Sequence, residues 1–462
     1  MIPTSTLSQK YIQFLKILFP VLITQIALSM ISFFDTNMSG HASAEDLAGV
    51  AIGSSLWIPL QAGLSGILVA ITPTISHLIG GGERKQVSYN VMQALLLSFV
   101  LALLVLGAGV LLVPGILQAM NLEAKVHEVA LHFLAALSVG IVPLFAYTVL
   151  RGYIDALGQT RFSMMITLCS LPINVGLNYL LIFGNWGFPR LGGVGAGVAS
   201  AITYWCILII ALIVVRTAEP FREDHLLSRW SAPSAAKWAE LLKLGVPMGF
   251  AIFFETAIFA GVTLLMSRYD TMTIAAHQAA QNFASTLYMI PLSICTALTI
   301  VVGYEVGAGR QKDARQYSML GIGTAIGLSV CTAVILLLFR YDVSALYSSD
   351  PVLIELIAHF MIYASFYQLS DAIAAPVQGS LRGYKDVNPA FFLTFLSYWV
   401  IGLPVGYVLA AYTSLGAYGY WVGLSTGLAC GAVTLLWRLL WVQRKFRHMR
   451  AAESGDMQKK LV

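Results

Sequence analysis

Apolar residues fall in blocks of 20 or more along the chain, separated by short polar connections. The blocks show neither the two-residue alternation of half-buried strands nor the mixed polarity of soluble helices. A bilayer core about 30 Å thick is crossed by about 20 helical residues at 1.5 Å each. The pattern therefore predicts twelve membrane-spanning helices, at about 14–36, 47–78, 90–115, 126–150, 162–184, 194–215, 239–267, 273–304, 316–339, 353–380, 389–412 and 418–440. The longest connection, 216–238, is polar and carries Arg216, Glu219, Arg222, Glu223, Asp224, His225 and Arg229. It divides the chain into a six-helix bundle over 1–215, a cytoplasmic linker over 216–238 and a second six-helix bundle over 239–440, followed by a basic tail over 441–462. The expected fold is an all-α polytopic membrane protein.

The two halves repeat. A displacement of 227 residues sets Lys16 and Pro20 on Lys243 and Pro247, and Leu47-Ala48 on Ile274-Ala275. It also sets Ile79-Gly80-Gly81-Gly82 on Val306-Gly307-Ala308-Gly309, and Lys85 on Lys312. Further on, a displacement of 231 sets Leu150-Arg151-Gly152-Tyr153 with Asp155 on Leu381-Arg382-Gly383-Tyr384 with Asp386. An even number of spans per half brings both halves in from the same side, so the 6+6 repeat is parallel, with its axis along the membrane normal. The glycine clusters lack the preceding strand and following Gly-Lys-Ser/Thr of a phosphate loop, so they read as helix-ending turns.

Composition agrees. Of 462 residues, 58% are hydrophobic and 11% charged, against about 25% charged in soluble domains. No large soluble domain fits between the blocks. The net charge of +5 would suggest nucleic acid in a soluble protein. Here the basic residues follow the spans: 23 of 27 Lys and Arg fall at the chain ends or in connections after even-numbered spans. Only Lys125, Arg190, Arg268 and Arg340 fall on the other side. The positive-inside rule then places both termini in the cytoplasm and removes nucleic acid as a partner. The five cysteines lie in apolar runs without a CxxC pair and read as small hydrophobes. The first apolar run has no small-residue cleavage site after it and reads as a retained helix.

The informative residues are those that break the apolar runs. Residues 244–267 carry one formal charge, Glu255, near the middle of a span and flanked by Phe253, Phe254 and Phe259. A charge at the bilayer centre costs about 2.5–3.5 kcal/mol on insertion scales, so a retained carboxylate there marks a functional site by default. Asp371 is similarly isolated, with Tyr367 one turn earlier on its face, and Gln368 and Gln378 nearby. Two carboxylates beside aromatic faces can hold a desolvated cation. In the first half, Asp35 follows eighteen uncharged residues, 17–34, which deliver it near the outer boundary, either as a site residue or as an ordinary outer-loop aspartate. Asn174 and Asn178 share a helix face, and Ser200 lies in the next span. An aspartate, two amides and a hydroxyl are the oxygen set that Na+ or a proton relay uses. Gln278, Gln281 and Asn282 share a face of the eighth span, either as cavity lining or as interhelical hydrogen-bonding groups. Asp46 reads as an ordinary outer-loop aspartate.

Together these residues resemble the multidrug and toxic compound extrusion (MATE) antiporters of the NorM-type bacterial branch. The marks are Pro20, Gln25, Phe34-Asp35-Thr36, Leu47-Ala48-Gly49-Val50-Ala51, Asn174 with Asn178, Leu191-Gly192-Gly193-Val194-Gly195, Glu255, Ala275-Ala276-His277-Gln278, Asp371 and Leu381-Arg382-Gly383-Tyr384. The resemblance covers almost the whole length. It implies a V-shaped pair of bundles with a central cavity. It also implies export of amphipathic organic cations, drugs among them, across the plasma (inner) membrane in exchange for Na+ or H+, without a cofactor. Carried over by position, Glu255, Asp371 and Tyr367 resemble a cation site of the second half. Asp35, Asn174, Asn178 and Ser200 resemble one of the first half. Either set is a candidate Na+ site, and Gln25, Phe259, Gln278, Gln281 and Asn282 are candidate cavity residues. Some relatives carry an aspartate where this chain has Asn178, which leaves open which half binds the coupling ion. The protein is expected to work as a monomer in the lipid bilayer.

Two rivals remain at this stage. Flippases of lipid-linked oligosaccharides share the architecture, but tend to line their cavity with several Lys or Arg, and none falls near the middle of a span here. An intramembrane enzyme would need a motif such as HExxH or GxSxG, or a histidine pair at metal spacing, and the sequence is read as holding none.

Overall fold

The computed structural model of the protein describes residues 3–226, 228 and 230–460, with side chains up to residue 447. Arg229 of the linker, the side chains of Arg450, Lys459 and Lys460 and residues 461–462 of the tail lie outside the described residues. Every regular element among the described residues is helical. In the first half these are α1 (Leu7–Ala42), α2 (Ala44–Leu68), α3 (Ile71–Gly80), α4 (Val87–Ala119), α5 (Ala124–Ser138), α6 (Ile141–Ala156), α7 (Thr160–Phe183), α8 (Gly193–Thr217) and the short α9 (Glu219–Arg222). The second half has α10 (Ala235–Met266), α11 (Thr271–Gly307), α12 (Gln311–Leu338), α13 (Arg340–Ala345) and α14 (Pro351–Gly383). It closes with α15 (Val387–Phe395), α16 (Leu403–Tyr412) and α17 (Tyr418–Lys460). Eleven spans are long and apolar enough to cross a membrane, and the pair α5 and α6, bent by 50°, makes a twelfth.

The breaks have local causes. Gly140 separates α5 from α6, and a Cβ there would lie 2.8 Å from Ala201 Cα, so the bend lets the chain seat directly on α8. Pro143, early in α6, cannot continue the hydrogen-bond ladder of α5. The second half keeps the corresponding spans whole: α11 and α14 run through with Pro291 and Pro376 inside. A similar contact occurs in both halves. Thr72 Oγ1 donates to Gly152 O at 3.4 Å, and its counterpart Thr299 Oγ1 donates to Gly379 O at 3.2 Å, one turn before Gly383, the repeat partner of Gly152.

The chain forms two compact units, Phe19–Gly249 and Met1–Leu18 with Phe250–Val462. The division does not fall in the polar connection, as the hydropathy pattern suggests. It falls inside α1 and α10, near the repeat-related Pro20 and Pro247, where each helix lacks one backbone donor. The first-half unit centres on Ile75, Val91, Phe145, Leu150, Tyr153 and Phe221. The second-half unit has two cores. Phe14 and Ile17 of α1 pack with Leu298, Val301 and Leu381 in one. Phe360, Trp421 and Leu424 anchor the other. Large apolar side chains such as Val110, Leu111 and Leu264 are exposed, as lipid-facing positions of a spanning helix are.

The 216–238 connection is not a loose tether. Asp224 is buried and accepts from Arg84 Nε at 2.6 Å and from Tyr153 Oη at 2.6 Å. Gln93 Nε2 donates to Ala232 O at 2.8 Å, and Gln93 Oε1 accepts from Ser234 N at 2.9 Å. Asp224, Ala232 and Ser234 are thereby strapped to the first-half unit, while Ser228 stays exposed.

Candidate functional site

The first-half candidates meet in one closed ring. Asn178 Nδ2 donates to Asp35 Oδ1 at 2.7 Å and to Asn174 Oδ1 at 3.1 Å. Ser200 Oγ donates to Asp35 Oδ2 at 2.6 Å, and Asn174 Nδ2 donates to Ser200 Oγ at 3.4 Å. The i, i+4 spacing on α7 puts both amides on one face. Gly195 of α8 lets that helix close on α7, because a Cβ there would meet Leu181 C at 2.7 Å. That approach brings Ser200 opposite Asn174. Each Asp35 oxygen accepts one short charge-assisted bond. Asn174, Asn178 and Ser200 are at most 2% exposed. Asn178 Oδ1 is the one ring atom left buried without a partner.

The second-half candidates also gather, in a different manner. Glu255 lies beside a small cavity of about 10 Å³, lined by Ile258, Phe259, Tyr367, Tyr398, Gly402, Leu424 and Leu428 as well. Asp371, 3% exposed, sits one turn beyond Tyr367 on α14 and within Coulombic reach of Glu255. Tyr288 Oη donates to Glu255 Oε1 at 3.1 Å, and Gln378 lies beside the same carboxyl. The Phe259 ring stands edge-on to Tyr367 at 5.8 Å. Two acidic groups in an apolar bundle with so few donors favour a neutralising charge, either a proton or a small metal cation. Among the described residues no three His, Cys, Asp or Glu side chains gather as a metal site. The oxygen set of carboxylates and phenols suits a hard cation rather than a transition metal.

The remaining candidates scatter. Gln281 Oε1 accepts from Thr263 Oγ1 at 3.3 Å, and Asn282 Oδ1 accepts from Tyr347 Oη at 3.0 Å. Both behave as interhelical hydrogen-bonding groups. Gln278 is exposed, Phe259 belongs to the Glu255 pocket, and Gln25 is half-buried in the first-half unit. Asp46 corrects its reading as an ordinary loop residue. It lies in the first turn of α2, bonded to the N-cap Ser43, and accepts from Gly193 N at 2.9 Å, which holds the start of α8.

Several neighbours carried no signal in the sequence. Tyr288 and Tyr398 are two of 20 tyrosines in apolar runs, without a spacing that sets them apart. Tyr204 lies within Coulombic reach of Asp35. Arg382 ends α14, with Nη1 3.6 Å from Cys295 Sγ and within Coulombic reach of Glu255. One string corrects the reading that no G-x-S-x-G occurs: Gly423-Leu424-Ser425-Thr426-Gly427 spells it. It lies within α17, without the strand-to-helix turn that exposes a nucleophile, so it forms no catalytic elbow.

Fold and centres together define a helical membrane protein of two related halves, each with a carboxylate held inside its bundle. The MatE family model matches residues 20–180 and again 247–408, and the chain belongs to that family. The two matches begin at residues 20 and 247, the same 227-residue displacement that aligns Pro20 with Pro247. A Bacillus subtilis protein named probable multidrug resistance protein NorM is 56% identical over 443 residues, covering 96% of this chain and 98% of its own. The Bacillus licheniformis protein of the same name is 55% identical over 448 residues, covering 97% and 99%. The crystal structure of a eukaryotic MATE transporter superposes with a TM-score of 0.85 at 19% identity, covering 96% of this chain and 99% of that one. Membership makes the protein a multi-pass membrane transporter and not an enzyme.

Proposed function

We propose that the protein is a secondary active multidrug efflux transporter that exchanges amphipathic organic cations for Na+ or H+ by alternating access. Support for efflux comes from the family and from the NorM relatives. Support for cation coupling rests on one observation: Glu255 and Asp371 share an apolar bundle, with Tyr288 as a donor to Glu255 and an open pocket alongside. A charged carboxylate is costly in the membrane interior. Binding of H+ or Na+ removes that cost, and a few kcal/mol of differential stabilisation moves a two-state equilibrium by tenfold or more. An occupied second-half site and a cargo-loaded site then favour different states, which is the requirement for exchange. Cationic aromatic cargo suits a chain with 23 Phe, 20 Tyr and 9 Trp, since ring faces attract cations. The first-half bundle, the linker and the second-half bundle form one monomer in the plasma (inner) membrane, both termini cytoplasmic.

Ethidium efflux from proteoliposomes, driven separately by imposed Na+ and pH gradients, tests the exchange. Efflux with either gradient supports it. A response confined to anionic compounds or cell-wall precursors shifts the reading to a lipid-linked oligosaccharide flippase. For orientation, a cysteine at the exposed Ser228 reacts with impermeant reagents only from the cytoplasmic side. Labelling from outside overturns the proposed topology.

A further inference from the structure

One wall of the second-half pocket is not α-helical. Residues Leu396–Gly402 form a π-helical turn between α15 and α16. Such turns are rare and concentrate at functional sites, because they re-aim side chains that an unbroken α-helix would place elsewhere. Glycines make room for this one. A Cβ on Gly427 would lie 2.8 Å from Ser397 O and 2.9 Å from Gly402 Cα, and one on Gly423 would lie 2.3 Å from Gly406 Cα. Gly419, Gly423, Gly427 and Gly431 recur every four residues on α17, so the turn and α16 press against its bare backbone.

The turn is tied to the helix that carries Glu255. Trp399 Nε1 donates to Phe254 O at 3.0 Å, one residue before the carboxylate. Its neighbour Tyr398 lines the pocket together with Glu255 and Tyr367. Tyr398 is 3% exposed, and its hydroxyl is buried without a hydrogen-bond partner. It lies within Coulombic reach of both Glu255 and Asp371. Buried hydroxyls are nearly always paired. One that lacks a protein partner, borders a pocket lined by Glu255 and lies within Coulombic reach of Asp371 points to a ligand. A neutral phenol offers two lone pairs to a hard cation and keeps its proton for a carboxylate.

We propose that the Tyr398 hydroxyl, presented by the π-helical turn, is a further oxygen ligand for Na+ in this pocket, beside Glu255, Asp371 and Tyr367. The inference rests on the reading of Glu255 and Asp371 as the coupling-ion site, and it names Na+ as the ion that site takes. Na+ binding to the purified full-length protein, titrated with NaCl by calorimetry, tests it with four forms of the chain. Tyr398→Phe keeps the ring and removes the oxygen, and is expected to weaken binding about tenfold with an unchanged melting temperature. Tyr407→Phe, at a 41% exposed tyrosine of α16, is expected to bind as wild type. Glu255→Gln is expected to lose binding. Wild-type affinity in Tyr398→Phe, with binding lost in Glu255→Gln, overturns this inference alone. No Na+ binding in the wild type overturns this inference and leaves H+ as the ion of the coupling-site reading, whereas undiminished binding in Glu255→Gln overturns that reading and this inference with it. Should Tyr398→Phe fail to insert, Gly431→Ala replaces it. Its Cβ would lie 3.0 Å from Tyr398 Cε1 and displace the ring with the hydroxyl intact. Weakened Na+ binding is again expected, and unchanged affinity overturns the proposal.

Discussion

The two halves share a plan but hold their carboxylates in opposite ways. Asp35 accepts one short hydrogen bond on each oxygen, from Asn178 and Ser200, and Asn174 closes the ring. Glu255 receives the Tyr288 hydroxyl on one oxygen, has Gln378 and Arg382 nearby, and borders a cavity of about 10 Å³, with Asp371 in Coulombic reach. The two centres are not copies of each other. The 227-residue displacement pairs Asp35 with Val262 and Glu255 with Leu28, so the acids sit about two helical turns apart in the repeat frame. Duplication supplied the scaffold, and each half placed its charge independently. A lone carboxylate bonded on both oxygens calls for a cation less strongly than two acids within Coulombic reach of each other. On that contrast rests the proposal that ion coupling belongs to the second half, with the first-half ring a structural or conformational part.

Substitutions at the acids break or sharpen this contrast. The largest effect is expected at the second-half pair. Glu255→Gln and Asp371→Asn each lower gradient-driven ethidium efflux by roughly 100-fold at normal membrane levels of protein, since each removes a charge that the ion neutralises. Wild-type efflux in both would return the coupling to Asp35, Asn174 and Asn178. At the ring, Asp35→Asn turns an amide N–H toward one existing donor. Leaving a buried donor unpaired costs about 1–3 kcal/mol, so efflux is expected to fall about tenfold while Na+ affinity stays unchanged. A loss of Na+ binding in this variant would place the ion at the ring instead. Smaller again is Asp46→Ala, which removes a partner of the N-cap Ser43 and the acceptor for Gly193 N. It is expected to cost about 1 kcal/mol of stability, read as a lower melting temperature with unaltered ion dependence. Glu128→Gln, in an exposed pair 4.0 Å from Lys125, is expected to leave efflux unchanged, because surface ion pairs contribute about 0–1 kcal/mol.

Much of this was legible before any coordinates. Apolar blocks mark a spanning helix strongly, because lipid admits few alternatives. A lone Glu255 or Asp371 in such a block stands out for the same reason. The ring was legible in its members but not in its closure, which depends on how closely Gly195 lets α8 approach α7. Asp46 was misplaced because α2 starts earlier than its apolar block, capped by Ser43. The π-helical turn left almost no trace. Leu396–Gly402 reads as ordinary apolar helix, and the four-residue glycine spacing on α17 signals close packing without saying what packs there. Tyr288 and Tyr398 were hidden by their surroundings, since tyrosine in an aromatic-rich apolar run has no distinguishing period. The exchange of helix openings between units was invisible for another reason: hydropathy locates a span but not the bundle each part packs against.

The central claim, that the second half carries the ion, is tested most directly by one side-by-side measurement. Ethidium efflux is followed in proteoliposomes containing wild type, Glu255→Gln or Asp35→Asn, with the external Na+ concentration stepped under a fixed pH and repeated with pH stepped under fixed Na+. The account predicts that Asp35→Asn is slower but keeps the wild-type dependence on the driving ion, while Glu255→Gln shows no dependence on either gradient. The reverse pattern, with ion dependence retained in Glu255→Gln and lost in Asp35→Asn, would contradict it.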